Sequence, residues 1–377
     1  MKRTLIVLLW LSVLSAQAQE LNFWQKANNV LTKFKNIDST YIYQPKQGFT
    51  LGIFSNVQRA GIDVTGMFTV NAGDGEMLSG VSKYSLRERM NPKIGLELGY
   101  GKLVFGYGVE VGPKREYKKR AIGFNLLGKS WGLHFNYFSF YNQFKTELFV
   151  GEEGQDNYYA EEVQSKNPAN MQCLYVDGYY VFNHKRFAYP AAYKAGLVQR
   201  RTSGSWMVTA RYMQGKLYNS PAAALESFNF VDGLYTFQAS FGGGYSANFV
   251  CWHRDPTDLR DKGLRNITIN LTALPVITAL NYLKIKDYKY NENAEKVGET
   301  VSKAFCYPMP NFVGGTAVAI TLDRFFISTQ FVYNWFYFRS PDAFRYSNLQ
   351  LPFQVEDLSY RGSFHNWKVK LLFTYKF

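Results

Sequence analysis

The sequence has 377 residues, with 43 Lys and Arg against 29 Asp and Glu and a formal net charge of +14. Aromatic residues make up 18% of it, including 28 Tyr and 31 Phe, yet the mean hydropathy is −0.25. No stretch after the N-terminus offers about eighteen uninterrupted apolar residues, which excludes a helical membrane protein; an aromatic-rich but polar chain suits a membrane barrel, where only alternate residues need be apolar.

The chain opens MKRTLIVLLWLSVLSAQAQ: Lys2 and Arg3, an apolar run from Leu5 to Leu14, then Ala16-Gln17-Ala18. This pattern predicts a secretory signal peptide over residues 1–18, cut after Ala18, because the run is too short for a spanning helix. Removing Lys2 and Arg3 leaves 41 basic residues against 29 acidic ones. In an exported chain that excess points to anionic lipid head groups or an anionic solute and away from nucleic acid.

Residues 19–48 form the next expected unit, an N-terminal periplasmic segment. From Glu20 to Asp38, Trp24, Ala27, Leu31 and Phe34 fall at helical spacing, which fits a short amphipathic helix capping the periplasmic mouth or lying on the inner leaflet. A loosely ordered leader fits equally well.

From Phe49 to Phe377 the period is two. In KIGLELGYG, Ile94, Leu96, Leu98 and Tyr100 alternate with Lys93, Gly95, Glu97 and Gly99; after a tight turn at Gly101-Lys102, Leu103, Phe105, Tyr107 and Val109 alternate with Gly106, Gly108 and Glu110. Trp131, Leu133, Phe135 and Tyr137 oppose Gly132, His134 and Asn136, and Trp206, Val208, Ala210 and Tyr212 continue the theme with Arg211 opposed. Glycine and polar side chains on the second face suit a water-filled lumen better than a packed core, so a barrel is favoured over a sandwich. Closure also removes the unpaired edges that hydrocarbon forbids.

Fifteen segments read as strands, but a barrel with both termini on one side needs an even number. Arg186 to Leu197 breaks the alternation and carries Pro190, so it is expected to be a periplasmic connection. The expectation is one all-β domain over residues 49–377, a single antiparallel transmembrane β-barrel of the outer-membrane type with about 14 strands, or 12 as the alternative. Asn142–Asn170, Gly215–Asp232, Leu283–Pro310 and Arg339–His365 would then be extracellular, and the turns at 101–102, 128–130 and 322–324 periplasmic. The last strand, WKVKLLFTYKF, places Trp367, Val369, Leu371, Phe373, Tyr375 and Phe377 on one face. Phe373, Tyr375 and Phe377 resemble the C-terminal signal read by the barrel-assembly machinery.

The stretches YYVFNHKRFAYPAAYKAGLVQRRTSGSWMVTARYM (179–213), GKSWGLHFNYFSFYNQF (128–144), FNFVDGLYTFQASFGGGYSANFV (228–250) and DSTYIYQPKQGFTLGIF (38–54) resemble a Bacteroidota outer-membrane family known as domain of unknown function 4421. The run from Phe182 to Tyr189 is the most specific part. The resemblance implies fold and location and brings no activity or ligand.

Chemistry is sparse. Among four histidines, His134 faces the expected lumen without a serine beside it, His184 and His253 fall in periplasmic turns, and His365 begins the last strand near the outer rim. No histidine pair has same-face spacing for a metal. The cluster EEGQDNYYAEE (152–162) lacks the spacing of a calcium loop, and Gly242-Gly243-Gly244 opens no helix, so neither a phosphate loop nor a cofactor is expected. The three cysteines, Cys173, Cys251 and Cys306, form no framework, although Cys173 and Cys306 fall near the same end of the map, where a bridge could form.

Lys93, Glu97, Glu110, His134, Arg211, Lys368 and Lys370 are the expected lumen-lining residues, with Asp63 and Lys376 on the same interior face; the lysines would bias a pore toward anions. Lys114, Arg115, Lys118, Lys119 and Arg120 cluster in one outer connection. Lys185, Arg186, Arg200 and Arg201, with Lys194, form a periplasmic basic segment near lipid head groups or an envelope partner. The expected function is a non-enzymatic narrow pore or structural and binding protein in the outer membrane, in contact with lipid and lipopolysaccharide. The competing reading is an outer-membrane enzyme acting on lipid or glycan, with His134 or His365 as its base; a secreted lectin-like sandwich is the third.

Overall fold

The computed structural model describes residues 36–45, 48–71, 77–111, 120–151, 159–226, 231–257, 262–290, 296–341 and 354–377, together with Gln25, Asn29 and Lys33. The expected signal peptide, most of the expected N-terminal helix and the basic residues 114–119 lie outside these residues. Of that helix, the Lys33 amide donates to the Asn29 carbonyl four residues back at 3.0 Å.

The strands, in chain order, are β1 (Ile42–Tyr43), β2 (Phe49–Asn71), β3 (Met77–Arg87), β4 (Lys93–Tyr100), β5 (Leu103–Glu110), β6 (Arg120–Leu127), β7 (Trp131–Asn142), β8 (Phe144–Val150) and β9 (Tyr159–Gln164). They continue with β10 (Ala169–Val181), β11 (Val198–Gln199), β12 (Ser203–Tyr218), β13 (Val231–Arg254), β14 (Arg265–Tyr290), β15 (Lys296–Phe305), β16 (Met309–Leu322), β17 (Phe325–Arg339) and β18 (Gln354–Lys376). A 3-10 turn (Tyr189–Ala192) and a short helix (Pro221–Leu225) complete the described elements.

Twelve of these strands close a ring in the order β2, β4, β5, β6, β7, β10, β12, β13, β14, β16, β17, β18 and back to β2, every neighbour antiparallel. The chain is thus an antiparallel β-barrel of outer-membrane type with twelve strands, the alternative count, not fourteen. β3, β8, β9 and β15 stand off the ring; β8, β9 and β15 fall within segments expected to be extracellular connections, and only β3 lies in a stretch expected to belong to the barrel. β3 pairs the upper half of β2 and then β8, β8 pairs β9, and β15 pairs the upper end of β14. "Upper" here means the end of the long connections; the tight turns, including the one where Gly101 takes a φ of 56°, mark the lower end. The expected long outer segments are also too long, since β12 runs to Tyr218, β14 to Tyr290, and β18 starts at Gln354.

A spanning strand needs about ten residues. β2 and β18 have 23 each, β13 has 24 and β14 has 26, so the wall stands well clear of any bilayer. Its polarity inverts along the way. On β18 the outward residues run Phe373, Leu371, Val369 and Trp367, then His365, Ser363 and Arg361; the inward ones run Lys370, Lys368 and Asn366, then Phe364, Gly362 and Tyr360. β17 follows the same order inside, from Ser328, Gln330 and Asn334 to Phe336 and Phe338, as does β7 from His134 and Asn136 to Phe138 and Phe140. The register aligns these changes, because Asn334 pairs Asn366 and Phe336 pairs Phe364. On these three strands the inward face changes from polar to apolar going up, and on β18 the outward face changes from apolar to polar.

The upper interior is consequently dry. Phe138, Phe140, Met171, Tyr175, Met213, Phe336, Phe338 and Phe364 belong to one buried cluster that also takes in Cys173 and Cys306, both free thiols. The expectation of a polar, glycine-rich inner face therefore holds only for the lower half. Glycine serves another purpose at Gly244, where an added Cβ would meet the Ala273 carbonyl oxygen at 2.0 Å; the triplet lets β13 and β14 approach at a break in their pairing.

The lower interior is filled by residues 182–202, the connection between β10 and β12. It turns inward, burying Phe187, Ala188, Ala191, Ala192 and Leu197. Irregular backbone inside a barrel must find hydrogen-bond partners, and the inward polar side chains supply them. Asn248 donates to the Ala188 carbonyl at 2.8 Å, Ser328 to that of Ala192 at 2.7 Å, Gln330 to that of Tyr193 at 2.8 Å, and Asn266 to that of Gln199 at 2.8 Å. Gln199, fully buried, gives its amide to the carbonyls of Arg186, Arg201 and Tyr41 and accepts from the Ala188 amide. The N-terminal β1 joins this plug by pairing β11.

Replacing Gln199 by Leu leaves the buried Ala188 amide without its acceptor, at a cost of about 1–3 kcal/mol. The expected result is a lower temperature for loss of the compact band in heat-modifiability gels; an unchanged temperature would show that the plug is not held this way.

Candidate functional site

Between the plug and the aromatic core lies a cavity of about 250 Å³. Its floor comes from the plug, through Tyr189, Tyr193 and Lys194, and its walls from inward positions at the level where polarity inverts. Five cationic side chains line it, Lys93, Lys194, Arg211, Lys368 and Lys370, against two carboxylates, Glu97 and Asp177. His134, Asn56, Asn136, Asn334, Asn366, Gln58 and Gln330 add polar groups.

The charges are only partly matched. Arg211 is ion-paired to Asp177 and also donates to Asn334 Oδ1 at 2.9 Å, with its guanidinium 5.2 Å from the Phe336 ring centroid. Lys370 is ion-paired to Glu97 and lies 4.9 Å from the Phe54 ring centroid. Lys93 stands 3.7 Å from Glu88, a buried acid. Lys194, 3% exposed, donates to the Gly101 carbonyl at 2.7 Å. Burial pulls its ammonium down to about 7, with Glu97 opposing and Lys102 reinforcing that shift.

Of the expected lumen-lining residues, six meet around this cavity: Lys93, Glu97, His134, Arg211, Lys368 and Lys370. Glu110 faces inward higher up and is held by Asn91. Lys376 is buried near the lower end. Asp63 was expected inside but points outward. The strand alternation places it beside Ser85, Arg87 and His365 on the outer wall, with the Arg87 contact at 2.7 Å and the Ser85 hydroxyl donating at 2.8 Å.

Both candidate bases are engaged by neighbours, with His365 Nδ1 also 3.8 Å from the Asp63 carboxylate. His134 Nδ1 lies 2.8 Å from Asn125 Oδ1 and its ring packs 5.6 Å from Tyr179. His365 Nε2 lies 2.8 Å from the Arg87 guanidinium, and Ser85 turns its hydroxyl to Asp63 and not to the imidazole. His184 contacts the Val181 carbonyl, and His253 contacts Asp255 at 2.9 Å. Among the described residues no three of His, Cys, Asp and Glu gather as metal ligands would.

The basic segment is engaged by the chain itself. Arg186 pairs Asp38 at 3.2 Å, and Arg200 pairs Asp255 at 2.5 Å and bonds the Ser39 carbonyl; Arg186 and Arg201 sit over Tyr41, and Arg200 over Tyr43. The Lys185 carbonyl accepts from the Asp38 amide at 2.9 Å. Hydrogen bonds from Thr40 hold the Asp38 carboxyl below its usual range. At the C-terminus, Phe373, Tyr375 and Phe377 face outward, with Phe325 at 5.7 Å from Phe373 and 5.2 Å from Tyr375. The plug's role in building the chamber was missed in the sequence. The available signal was Pro190 and two small-residue pairs around it, which marked the segment as no strand without saying which way it turned.

Lys194 yields a pH prediction. An unfolded lysine holds its proton up to about 10.5, whereas the folded one releases it near 7, so this group makes the folded state more stable as pH rises from about 7 to 10.5. In matched unfolding experiments, Lys194→Met should remove that rise, so that wild type gains on the variant across this window. A constant difference would contradict the assignment.

No functionally curated protein matches the sequence. Among solved structures, the chain is similar to the outer membrane protease OmpT from Escherichia coli, at 7% identity and a TM-score of 0.28 over 88% of this chain and 97% of that one. It is also similar to a Pseudomonas aeruginosa FadL homologue, at 10% identity and a TM-score of 0.23 over 88% and 90% of the two chains. Neither protein's role transfers at that level of overlap. Residues 36–356, which include the plug and eleven of the twelve ring strands in full, match the model of domain of unknown function DUF4421, and the chain belongs to that family.

Proposed function

We propose that the protein sits in the outer membrane as a closed, non-enzymatic barrel, with the cationic chamber as its binding site, and not as an open pore. The observation that carries this reading is that two barriers stand in series in the lumen, the in-turned segment 182–202 below and the aromatic cluster above. The outer wall supports the location: Phe49 and Trp206 are 67% exposed and Phe377 is 65% exposed, part of an apolar belt that water would not tolerate on this scale. In this orientation the tight turns, β1 and Phe377 face the periplasm, the upper wall stands outside the cell, and lipid and lipopolysaccharide surround the belt. Phe373, Tyr375 and Phe377 are then available to the barrel-assembly machinery during insertion. The occupied imidazoles of His134 and His365 favour a binding or structural role over hydrolysis of lipid or glycan.

Planar-bilayer recording of the refolded protein tests this. A folded, heat-modifiable barrel that gives no unitary steps is expected; steady steps, of either ion preference, would overturn the closed reading.

A further inference from the structure

The chamber wall made by β18, β2 and β4 concentrates positive charge in one place. Register sets Lys370 opposite Asn56 and Asn56 opposite Lys93, so these three form one row across three strands. Lys368 lies two residues from Lys370 on the same inward face and opposite Gln58. Directly opposed side chains start about 5 Å apart, and same-face neighbours along a strand roughly 7 Å apart, so three ammonium groups share a small patch.

The protein's own carboxylates do not neutralise this patch. Glu97 serves Lys370, Glu88 serves Lys93, and Asp177 serves Arg211 across the chamber. Lys368 has no hydrogen bond or ion pair to any described residue. Beside it, the amide oxygens of Asn56 and Asn366 are buried without a partner, and either amide can turn its NH2 group into the chamber instead. A half-buried charge and orphaned amides on one wall are costly unless something completes them. The cavity, about 250 Å³, takes a phosphate or a small organic acid with water to spare.

We propose that the chamber binds a small oxyanion, a phosphate- or carboxylate-bearing solute of one or two negative charges, with Lys368 as its central contact and the Asn56 and Asn366 amides as donors. This names the ligand class of the site on which the closed-barrel reading rests. The anion completes the ion pairing of the wall, and its oxygens take the donors that the strands leave unmatched.

The test is calorimetric titration of the protein, refolded in detergent, with inorganic phosphate, sulfate and citrate against chloride at matched ionic strength. Saturable binding of at least one of the three is expected, weakened at least tenfold in Lys368→Gln and kept within a few-fold in Lys368→Arg. No saturable binding of any of them to the folded wild type, or equal binding by Lys368→Gln, would overturn the proposal. Should Lys368→Gln fail to fold, lysine acylation of the wild type read by mass spectrometry decides: the bound anion should shield Lys368 where chloride does not, and equal labelling would count against the site. Bilayer recordings on the same preparation separate the two readings. Binding accompanied by conductance steps removes the closed barrel and keeps the anion site, whereas silence without binding removes the anion site and keeps the closed barrel.

Discussion

The structure depends on one constraint, that a single antiparallel wall has to satisfy two solvents along its length. In its lower half the wall meets hydrocarbon outside, so Leu371 and Val369 face out and Lys368 and Lys370 face in. Above the bilayer the same strands meet water outside, so Arg361 and Ser363 face out while Phe364 and Tyr360 face in. Strand alternation itself is unbroken on β17 and β18, and only the assignment of residue type to face changes. The antiparallel register carries the change across neighbouring strands at a common height.

Two different interiors follow. The upper one packs like the core of a soluble domain and holds itself together by apolar burial, which gives the long strands a reason to persist beyond the membrane. The lower one is lined by Ser, Thr, Asn and Gln, which cannot pack dry without hydrogen-bond partners. The in-turned connection provides those partners in the form of its own backbone carbonyls, and the polar wall in turn provides donors for a segment with almost no secondary structure. Gln199 is the point where wall, plug and N-terminal segment meet, since it bonds the carbonyls of Arg186 and Tyr41 while accepting from Ala188 and Asn248.

The chamber exists because these two fillings do not touch. At the inversion level the wall still carries the polar residues suited to the lower half, but the plug stops at Tyr193 and Lys194 and the aromatic cluster begins at Phe138 and Phe336. The remaining space collects the longest polar side chains available. Lysine dominates there because its chain is long enough to reach from the wall into the gap, and its cost is moderated by Glu97 and Glu88 without being cancelled.

The sequence by itself determined the period-two strands, the outward aromatic face and the inward placement of Lys93, Glu97, His134, Arg211, Lys368 and Lys370. Each of these follows from local alternation or from composition, which a linear pattern records directly. It did not determine the strand number: β3 alternates as barrel strands do and only its pairing partners set it above the ring, while β8 and β15 are strands within stretches that read as outer connections. Asp63 went to the wrong face because the side of a strand is known only relative to its neighbours in register. That residues 182–202 turn into the lumen, and that the polar and aromatic halves of the interior meet at one height and leave a charged chamber between them, was decided by tertiary structure alone. Those outcomes rest on contacts between residues far apart in the chain, such as Ser328 with Ala192 and Lys194 with Gly101, which no local pattern encodes.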